Sequence, residues 1–484
     1  MSIKKNIIYN ITYQILILFL PLITTPYIAR VIGVEGVGIY SYTYSIVNYF
    51  ILCAMLGLNN YGNRSIAAVR DNKEKLSETF FNIYGLQIVT TTIMLIIYII
   101  YIIFLSSDNL DIAYIQLIFI IATMLDINWF FFGVEEFKLT VVRNTIIKVL
   151  TVISIFVFVN DPSDLWIYTL IMALGTLLSQ IMIWPFVRRY IIWFKPTFKG
   201  IKSHLKPNII LFIPVLAMSI YKTMDKIMLG TLTSTIQVGY YENSEKIINV
   251  PLSIIVALGV VMLPRMTNLT VNENSTSFKK YIEVSLRFVM FIAIGSSVGL
   301  SGVCSNFIPL FLGDEFINCT WIIPLLSITI LFISWANVLR TQYLIPRQKD
   351  KVYIISTLLG AVVNVIANLI FIPSYGAVGA AVGTILAESS VAIYQTFKVR
   401  KELDVFKYFM NSCIYIIPAI CMYFCIISIK NITGNIVLNL LIQIILGGSI
   451  YVILSGILLW LTDKDIRVRF EQLFYKIKRL KVSL

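Results

Sequence analysis

Charge is scarce in this 484-residue chain. Only 13% of its residues are Asp, Glu, Lys or Arg, where a soluble domain carries roughly a quarter, so an ordinary water-soluble fold is excluded. Histidine occurs once, as His204 in a basic loop, and the six cysteines form no CxxC motif. Without a His or Cys cluster, nothing points to a metal centre of the zinc type. Cys53, Cys413, Cys421 and Cys425 lie inside apolar runs, where cysteine behaves as a small buried hydrophobe. Cys304 and Cys319 flank one outer segment, at a spacing that leaves pairing open. No catalytic triad, low-complexity segment, separate soluble domain or cleavable signal peptide is legible. The start carries Lys4 and Lys5 ahead of an apolar run too long for a signal peptide. Acidic residues are outnumbered, 25 against 39 Lys and Arg, giving a net charge of +14. Basic loops that fix membrane topology account for that excess, and nucleic acid is not an expected partner.

What the chain has in abundance is apolar length, with 58% hydrophobic residues. Crossing the hydrocarbon core takes about 20 apolar residues as a helix, and runs such as 88–105 and 436–461 meet that length. Lipid offers backbone groups no hydrogen bonds, so each segment must bond internally. The runs are continuous, without the alternating segments of about ten residues that build a membrane barrel. The expected fold is therefore all-α and integral to the membrane, with fourteen spans. Six lie near 6–29, 38–58, 80–105, 112–132, 145–159 and 165–187. After a basic linker, 188–207, six more lie near 208–232, 239–263, 281–302, 320–339, 352–372 and 376–397, then two near 410–429 and 436–461.

With the N-terminus inside, nearly all loop Lys and Arg fall on the inner side, among them Arg64, Arg70, Lys73, Lys138, Arg188, Lys206, Arg265, Arg340, Lys349 and Lys401. Outer loops hold little beyond Arg30 and Lys430. That bias sets both termini in the cytoplasm. In the tail, Ile466, Phe470, Leu473, Phe474 and Ile477 recur at helical spacing between basic residues, the pattern of an amphipathic helix on anionic lipid.

The two six-span sets echo each other. "NIIYNITYQ" at Asn6 and "NIILFIPVL" at Asn208 each open a set, and "VGIY" at Val37 and "VGYY" at Val238 each open a second span, at offsets of 202 and 201 residues. An even number of helices separates the copies, so the two bundles have the same orientation and are related by an axis along the membrane normal.

Four stretches then carry a family resemblance: "RVIGVEGVGIYSY", "NWFFFGVEEFKLTVVRN", "MDKIMLG" and "NVIANLIFIPSYGAVGAAVGTILAE". The chain resembles the Wzx, or PST-type, polysaccharide flippases of the multidrug/oligosaccharidyl-lipid/polysaccharide exporter superfamily. The resemblance implies a MATE-like fold, with an N-lobe (1–187), the linker, a C-lobe (208–400), two extra helices (401–461) and the basic tail (462–484). It implies a multi-pass protein of a bacterial cytoplasmic membrane that exports undecaprenyl-diphosphate-linked oligosaccharide repeat units for capsule- or O-antigen-type polymers. Membrane lipids surround it, and a polysaccharide polymerase is an expected partner. It is not expected to be an enzyme.

Moving such a lipid needs cations for the diphosphate, aromatic and hydrogen-bonding groups for the sugar, and a lateral opening for the acyl chain. Intramembrane charge is functional by default. Lys222, Asp225 and Lys226 lie late in the seventh span, on one helical face, and Glu242, Glu245 and Lys246 lie early in the eighth, at a shared depth. Lys222 and Lys246 are the leading diphosphate contacts, with Lys226 and Arg30 beside them. The competing reading is a set of neutralised pairs that hold two helices together, and interfacial snorkelling for Arg30. Tyr40, Tyr44 and Asn48 share a face of span two and suit sugar stacking, or ordinary packing. Trp129 reads as an interfacial anchor.

Asn364 and Asn368 are four apart in span eleven, as are Thr384 and Glu388 in span twelve. Related lipid II flippases hold sodium between the corresponding helices seven, eleven and twelve. The resemblance places Asp225, Asn364, Asn368, Thr384 and the Ala380 carbonyl on those ligand positions, and sodium wants oxygen ligands. Asn368 stands where a carboxylate is expected, which leaves proton coupling open, with Asp225 or Glu388 as carrier and Glu245 among the coupling residues. Interhelical amide bonding, worth about 0.6 kcal/mol a contact, is the competing reading. Span one has Thr24, Thr25 and Pro26 where lipid II flippases carry an Arg–Asp pair, which argues against lipid II as cargo; Pro21 and Pro26 are expected to bend that span. A drug/cation antiporter would want an acidic or aromatic cavity. A polysaccharide polymerase or ligase would want a long outer loop, and the longest here, near 303–319, is mostly apolar.

Overall fold

The computed structural model describes residues 3–104, 109–271, 275–429 and 432–462, with side chains from Leu20 onward apart from Pro214, Tyr221 and 271–276. Lys430 and the amphipathic tail beyond Thr462 lie outside the described residues. Sixteen α-helices account for almost all of the described chain. They are α1 (Ile3–Met55), α2 (Leu58–Val69), α3 (Lys73–Phe104), α4 (Leu110–Met124), α5 (Asn128–Gly133), α6 (Phe137–Phe158), α7 (Leu165–Ile181), α8 (Trp184–Val187) and α9 (Phe198–Leu232), followed by α10 (Thr235–Val271), α11 (Ser275–Phe311), α12 (Cys319–Leu339), α13 (Asp350–Val399), α14 (Val405–Cys413), α15 (Ile416–Ser428) and α16 (Ile436–Thr462).

Among the described residues, twelve helical stretches are long and apolar enough to cross a membrane, and the chain is a multi-pass membrane protein. At 1.5 Å per residue, the 53 residues of α1 and the 50 of α13 would run about 75–80 Å if straight, more than twice the hydrocarbon core. Each is broken instead by one glycine in a conformation that other residues resist. Gly33 has φ 76° and ψ 177°, and Gly376 has φ 54° and ψ −130°. Pro21 and Pro26 sit upstream within helical backbone, so the break in α1 falls at Gly33 rather than at the prolines.

The helices form two compact units. The first contains the chain to Asn243 together with Asn368–Ala380, and the second contains Ser244–Ala367 and the chain from Ala381. Helices α10 and α13 contribute to both.

The first unit holds an aromatic core around α5. Trp129 is fully buried and donates its indole N–H to Gln87 Oε1 at 3.0 Å. Gln87 in turn donates to the carbonyls of Thr123 and Asp126, both at 2.8 Å. The indole lies so close to Gly62 that a Cβ there would stand 2.6 Å from its ring. Trp129 is thus a core residue, and its expected interfacial role is corrected. An indole whose N–H finds a buried acceptor needs no headgroup.

Other expectations shift with the helix ends. The linker 188–207 is non-helical only as far as Thr197. From Phe198 it is already α9, begun by Thr197, whose hydroxyl accepts from Gly200 N at 3.1 Å. His204 therefore sits on a helix, where Nδ1 meets the Tyr61 hydroxyl at 2.6 Å. The segment 303–319 is likewise no long loop. Helix α11 runs to Phe311, and a 3-10 turn at Asp314–Phe316 leads into α12. Cys304 and Cys319 are both buried and are not joined in a disulfide.

In the second unit, a π-helical turn, Arg340–Leu344, follows α12. Glu402 lies between α13 and α14 and accepts hydrogen bonds from Lys349 Nζ and the Tyr343 hydroxyl, and from Arg347 Nη1 at 3.3 Å. The Lys349 ammonium and the Tyr343 hydroxyl hold the Glu402 carboxyl below its ordinary value of 4.5. A lowered pKa stabilises the fold above that value, and the contribution is lost as pH falls through the folded-state pKa. The group is part-exposed, so the effect is small. Below pH 4.5 the thermal midpoint of the purified protein should fall about 1–2 °C further than that of Glu402→Gln. Parallel acid-side profiles for the two proteins would dismiss the contribution.

Candidate functional site

Helix α9 and the first turns of α10, to Asn243, belong to the first unit and are joined through residues 233–234, and residues late in α9 meet residues early in α10. Asp225 is only 3% exposed. Tyr241 donates its hydroxyl to Asp225 Oδ2 at 2.7 Å, and Asn368, from α13, donates its amide N–H to Oδ1 at 2.5 Å. Both donors are buried. A carboxylate in an apolar span is tolerable only with such partners.

One residue along, Lys226 Nζ lies 2.5 Å from Glu242 Oε2, and the same oxygen accepts from the Ser41 hydroxyl at 2.8 Å. The charge of Lys226 is met inside the protein. Lys222, one turn earlier on α9, is exposed, as is Arg30 near the break in α1.

The internal repeat reappears here as contact. Ser41 and Glu242 are 201 residues apart, the offset of the "VGIY" and "VGYY" stretches. A Cβ on Gly38 would stand 1.8 Å from the Thr235 carbonyl oxygen, and one on its counterpart Gly239 would stand 2.2 Å from the Val34 carbonyl oxygen. Each glycine therefore meets the backbone four residues before the other. The two second-span helices cross about a local twofold, just past their chain reversals, at a spacing that only glycine permits. The break in α13 is fixed to the same hairpin, because Gln237 Oε1 accepts from Ala377 N at 2.9 Å and fills the space beside Gly376.

Tyr40 and Tyr44 stack on each other with centroids 5.7 Å apart. Tyr40 meets the edge of Tyr168 at 4.9 Å, and Tyr44 meets Phe119 at 5.1 Å. Both rings, and Asn48, are half-buried, so part of the stripe is engaged in packing. Ala380 is buried in the first unit. In the second unit, Asn364 and Glu388 are buried, and Thr384, Glu245 and Lys246 are half-buried.

Sequence reasoning found Asp225 and Asn368, which the structure brings together, and missed Tyr241 and Ser41. The signal for both was available. Tyr241 closes "VGYY" and is the repeat counterpart of Tyr40, and Ser41 is the counterpart of Glu242.

Residues 3–270 match the model of a family described as polysaccharide biosynthesis protein. The chain is similar to a protein of Escherichia coli (strain K12) named "Putative O-antigen transporter", with 24% identity over 413 residues, covering 83% of this chain and 98% of that one. A protein of Shigella dysenteriae with the same name is 23% identical over 402 residues, covering 82% of this chain and 100% of that one. Among solved structures, the chain is similar to the lipid II flippase MurJ in an inward closed conformation, with a TM-score of 0.73, 18% identity, and 94% of this chain and 98% of that chain covered. That likeness concerns the fold.

Proposed function

The chain belongs to the polysaccharide biosynthesis protein family, and from that premise we propose that it flips a lipid-linked saccharide across a bacterial cytoplasmic membrane. The cargo in this reading is an undecaprenyl-diphosphate-linked oligosaccharide repeat unit, delivered outward for a capsule- or O-antigen-type polymer and passed to a polymerase. The chain crosses fourteen times with both termini inside. It makes and breaks no covalent bond. Its work is to give charged and sugar groups a path through lipid by alternating access.

The observation that carries this reading is the buried carboxylate of Asp225, held by Tyr241 and Asn368 inside an apolar span. Packing alone does not call for such a group. Lys222, Lys246 and Arg30 are the diphosphate contacts, since compact or forked cations suit phosphate. Lys226, tied to Glu242, holds the hairpin. Asn48 and the free edges of Tyr40 and Tyr44 meet the sugar.

Asp225 takes up the coupling ion. On the family resemblance alone, Asn364, Thr384, Glu388, Glu245 and the Ala380 carbonyl remain further candidates for coupling to Na+ or H+. Asn368 offers Asp225 its N–H rather than its oxygen, and both carboxylate oxygens already accept a hydrogen bond. Protonating the carboxyl changes one of those bonds, whereas sodium has to displace donors from it. A proton is therefore the better fit.

Deleting the gene in its host should abolish the surface polymer and leave full-length lipid-linked repeat units facing the cytoplasm. Normal polymer with raised drug sensitivity would instead identify a drug antiporter.

A further inference from the structure

Between α8 and α9 runs a basic strap that the proposed path does not use. From residue 188 to 206 it carries Arg188, Arg189, Lys195, Lys199, Lys202 and Lys206, and no acidic residue. All six cations are exposed, and among the described residues none of the six forms an ion pair. Two aromatic rings stand out among them, with Trp193 81% and Phe198 82% exposed. A loop that only sets topology needs to keep its cations on one side of the membrane and nothing more. This one is also held in a fixed shape and turns aromatic surface outward.

The hold comes from α3. Ser77 is fully buried, and its hydroxyl accepts from Ile192 N at 3.0 Å. Asn82 is also buried, and its Oδ1 accepts from Thr197 N at 3.2 Å. Between these two ties the Trp193 ring meets that of Phe81 edge-on, with centroids 5.0 Å apart. The first turns of α9 are seated as closely. A Cβ on Gly200 would stand 2.5 Å from Asn82 Oδ1, and one on Gly85 of α3 would stand 2.9 Å from Ile201 Cδ1. His204 turns to Tyr61 of α2. Lys199, Lys202 and Lys206 follow at steps of three and four and share one exposed face of α9. The ties fall on residues 77–85, where the apolar run of α3 begins, and the strap ends just before the apolar run that starts at Asn208. It therefore lies at the level of the headgroups.

We propose that this strap is a docking surface for anionic lipid headgroups of the leaflet it borders. Phospholipid phosphates supply the negative charge that the strap lacks, and each Lys or Arg near an anionic surface strengthens the attraction about fivefold. A tryptophan at this level settles among headgroups. Both rings stand where apolar runs begin, beside the upper acyl chains, which favours lipid over a soluble acidic partner. Lipid bound there fixes the start of α9, the helix that carries Asp225, at the membrane surface. The proposal does not depend on the flippase reading.

The test places the full-length protein in phosphatidylcholine nanodiscs that contain the same small share of either brominated phosphatidylglycerol or brominated phosphatidylcholine. Bromine quenches a tryptophan it touches, and the Trp193 signal is the difference between the unchanged protein and Trp193→Phe. Phosphatidylglycerol should quench that signal at least about threefold more than phosphatidylcholine does. Lys199→Gln, Lys202→Gln and Lys206→Gln together should bring the ratio down to about one, and Arg188→Gln with Lys195→Gln should lower it by at least about half. Thermal midpoints are measured on the same samples, so that a folding defect in one variant leaves the other to decide. Removing three exposed charges elsewhere, through Lys279→Gln, Lys280→Gln and Lys351→Gln, should leave the ratio unchanged. A ratio of about one in the unchanged protein would overturn the proposal. An equal fall in the strap and control variants would show net charge at work rather than this surface, and would overturn it too. Quenching by neither lipid would place Trp193 in water and give the strap to a soluble acidic partner instead. The flippase reading stands in each case.

Discussion

Replacing Asp225 with alanine should abolish surface glycan while the protein still inserts at normal levels. The carboxylate holds Tyr241 and Asn368 together, so its removal strands a buried hydroxyl and a buried amide at about 1–3 kcal/mol each. That loss is within what a protein of this size survives, but the chargeable group is gone. Asp225→Asn separates the two effects, since it keeps the hydrogen-bonding shape and loses the charge. It should insert like the unchanged protein and still fail to export. Lys246→Ala should fail as well, through the diphosphate rather than through coupling. Export by the unchanged protein should stop when the proton gradient alone is collapsed. Normal glycan in Asp225→Ala and Lys246→Ala together would sink the proposed site, and export that survives loss of both proton and sodium gradients would remove ion coupling.

The second large effect concerns the helix crossing. Gly38→Ala puts a carbon 1.8 Å from a backbone oxygen, where ordinary contact begins at 3.4 Å. A carbonyl cannot rotate aside as a side chain can, so the two helices must separate. Overpacking of this kind costs about 3 kcal/mol, and Gly239→Ala should cost about the same. Because one separation relieves both clashes, the double variant should lose clearly less than the sum of the singles, by about 1 kcal/mol or more. Thermal unfolding of the four proteins in nanodiscs measures this. Strictly additive losses would show that the two glycines do not share one crossing.

Much of this architecture was legible because the membrane simplifies the code. Length and hydropathy marked the long apolar helices. The breaks at Gly33 and Gly376 fell where the sequence divides spans one from two and eleven from twelve. Two failures have physical causes. Trp129 was read as interfacial because a tryptophan near a span end usually is; the acceptor that draws it inward, Gln87, comes from another helix, and no local pattern reports it. The segment 303–319 was read as a loop because hydropathy marks where lipid ends, not where the helix does. Within the site, Asp225 and Asn368 stood out through their motifs, whereas Tyr241 depended on the register of the α9–α10 hairpin.

The contact between Ser41 and Glu242 also bears on how such a chain comes to exist. Two unfused copies meeting about a twofold place each residue on the axis against itself. At this position that means serine facing serine or glutamate facing glutamate, and the second repels. Only once the two copies are separately encoded can they drift apart and turn a self-contact into a donor facing an acceptor, as Ser41 and Glu242 do. The paired glycines keep the older symmetry, since glycine against backbone suits both copies equally. Ser41 and Glu242 record its loss, and with it the point at which two interchangeable halves became a left and a right.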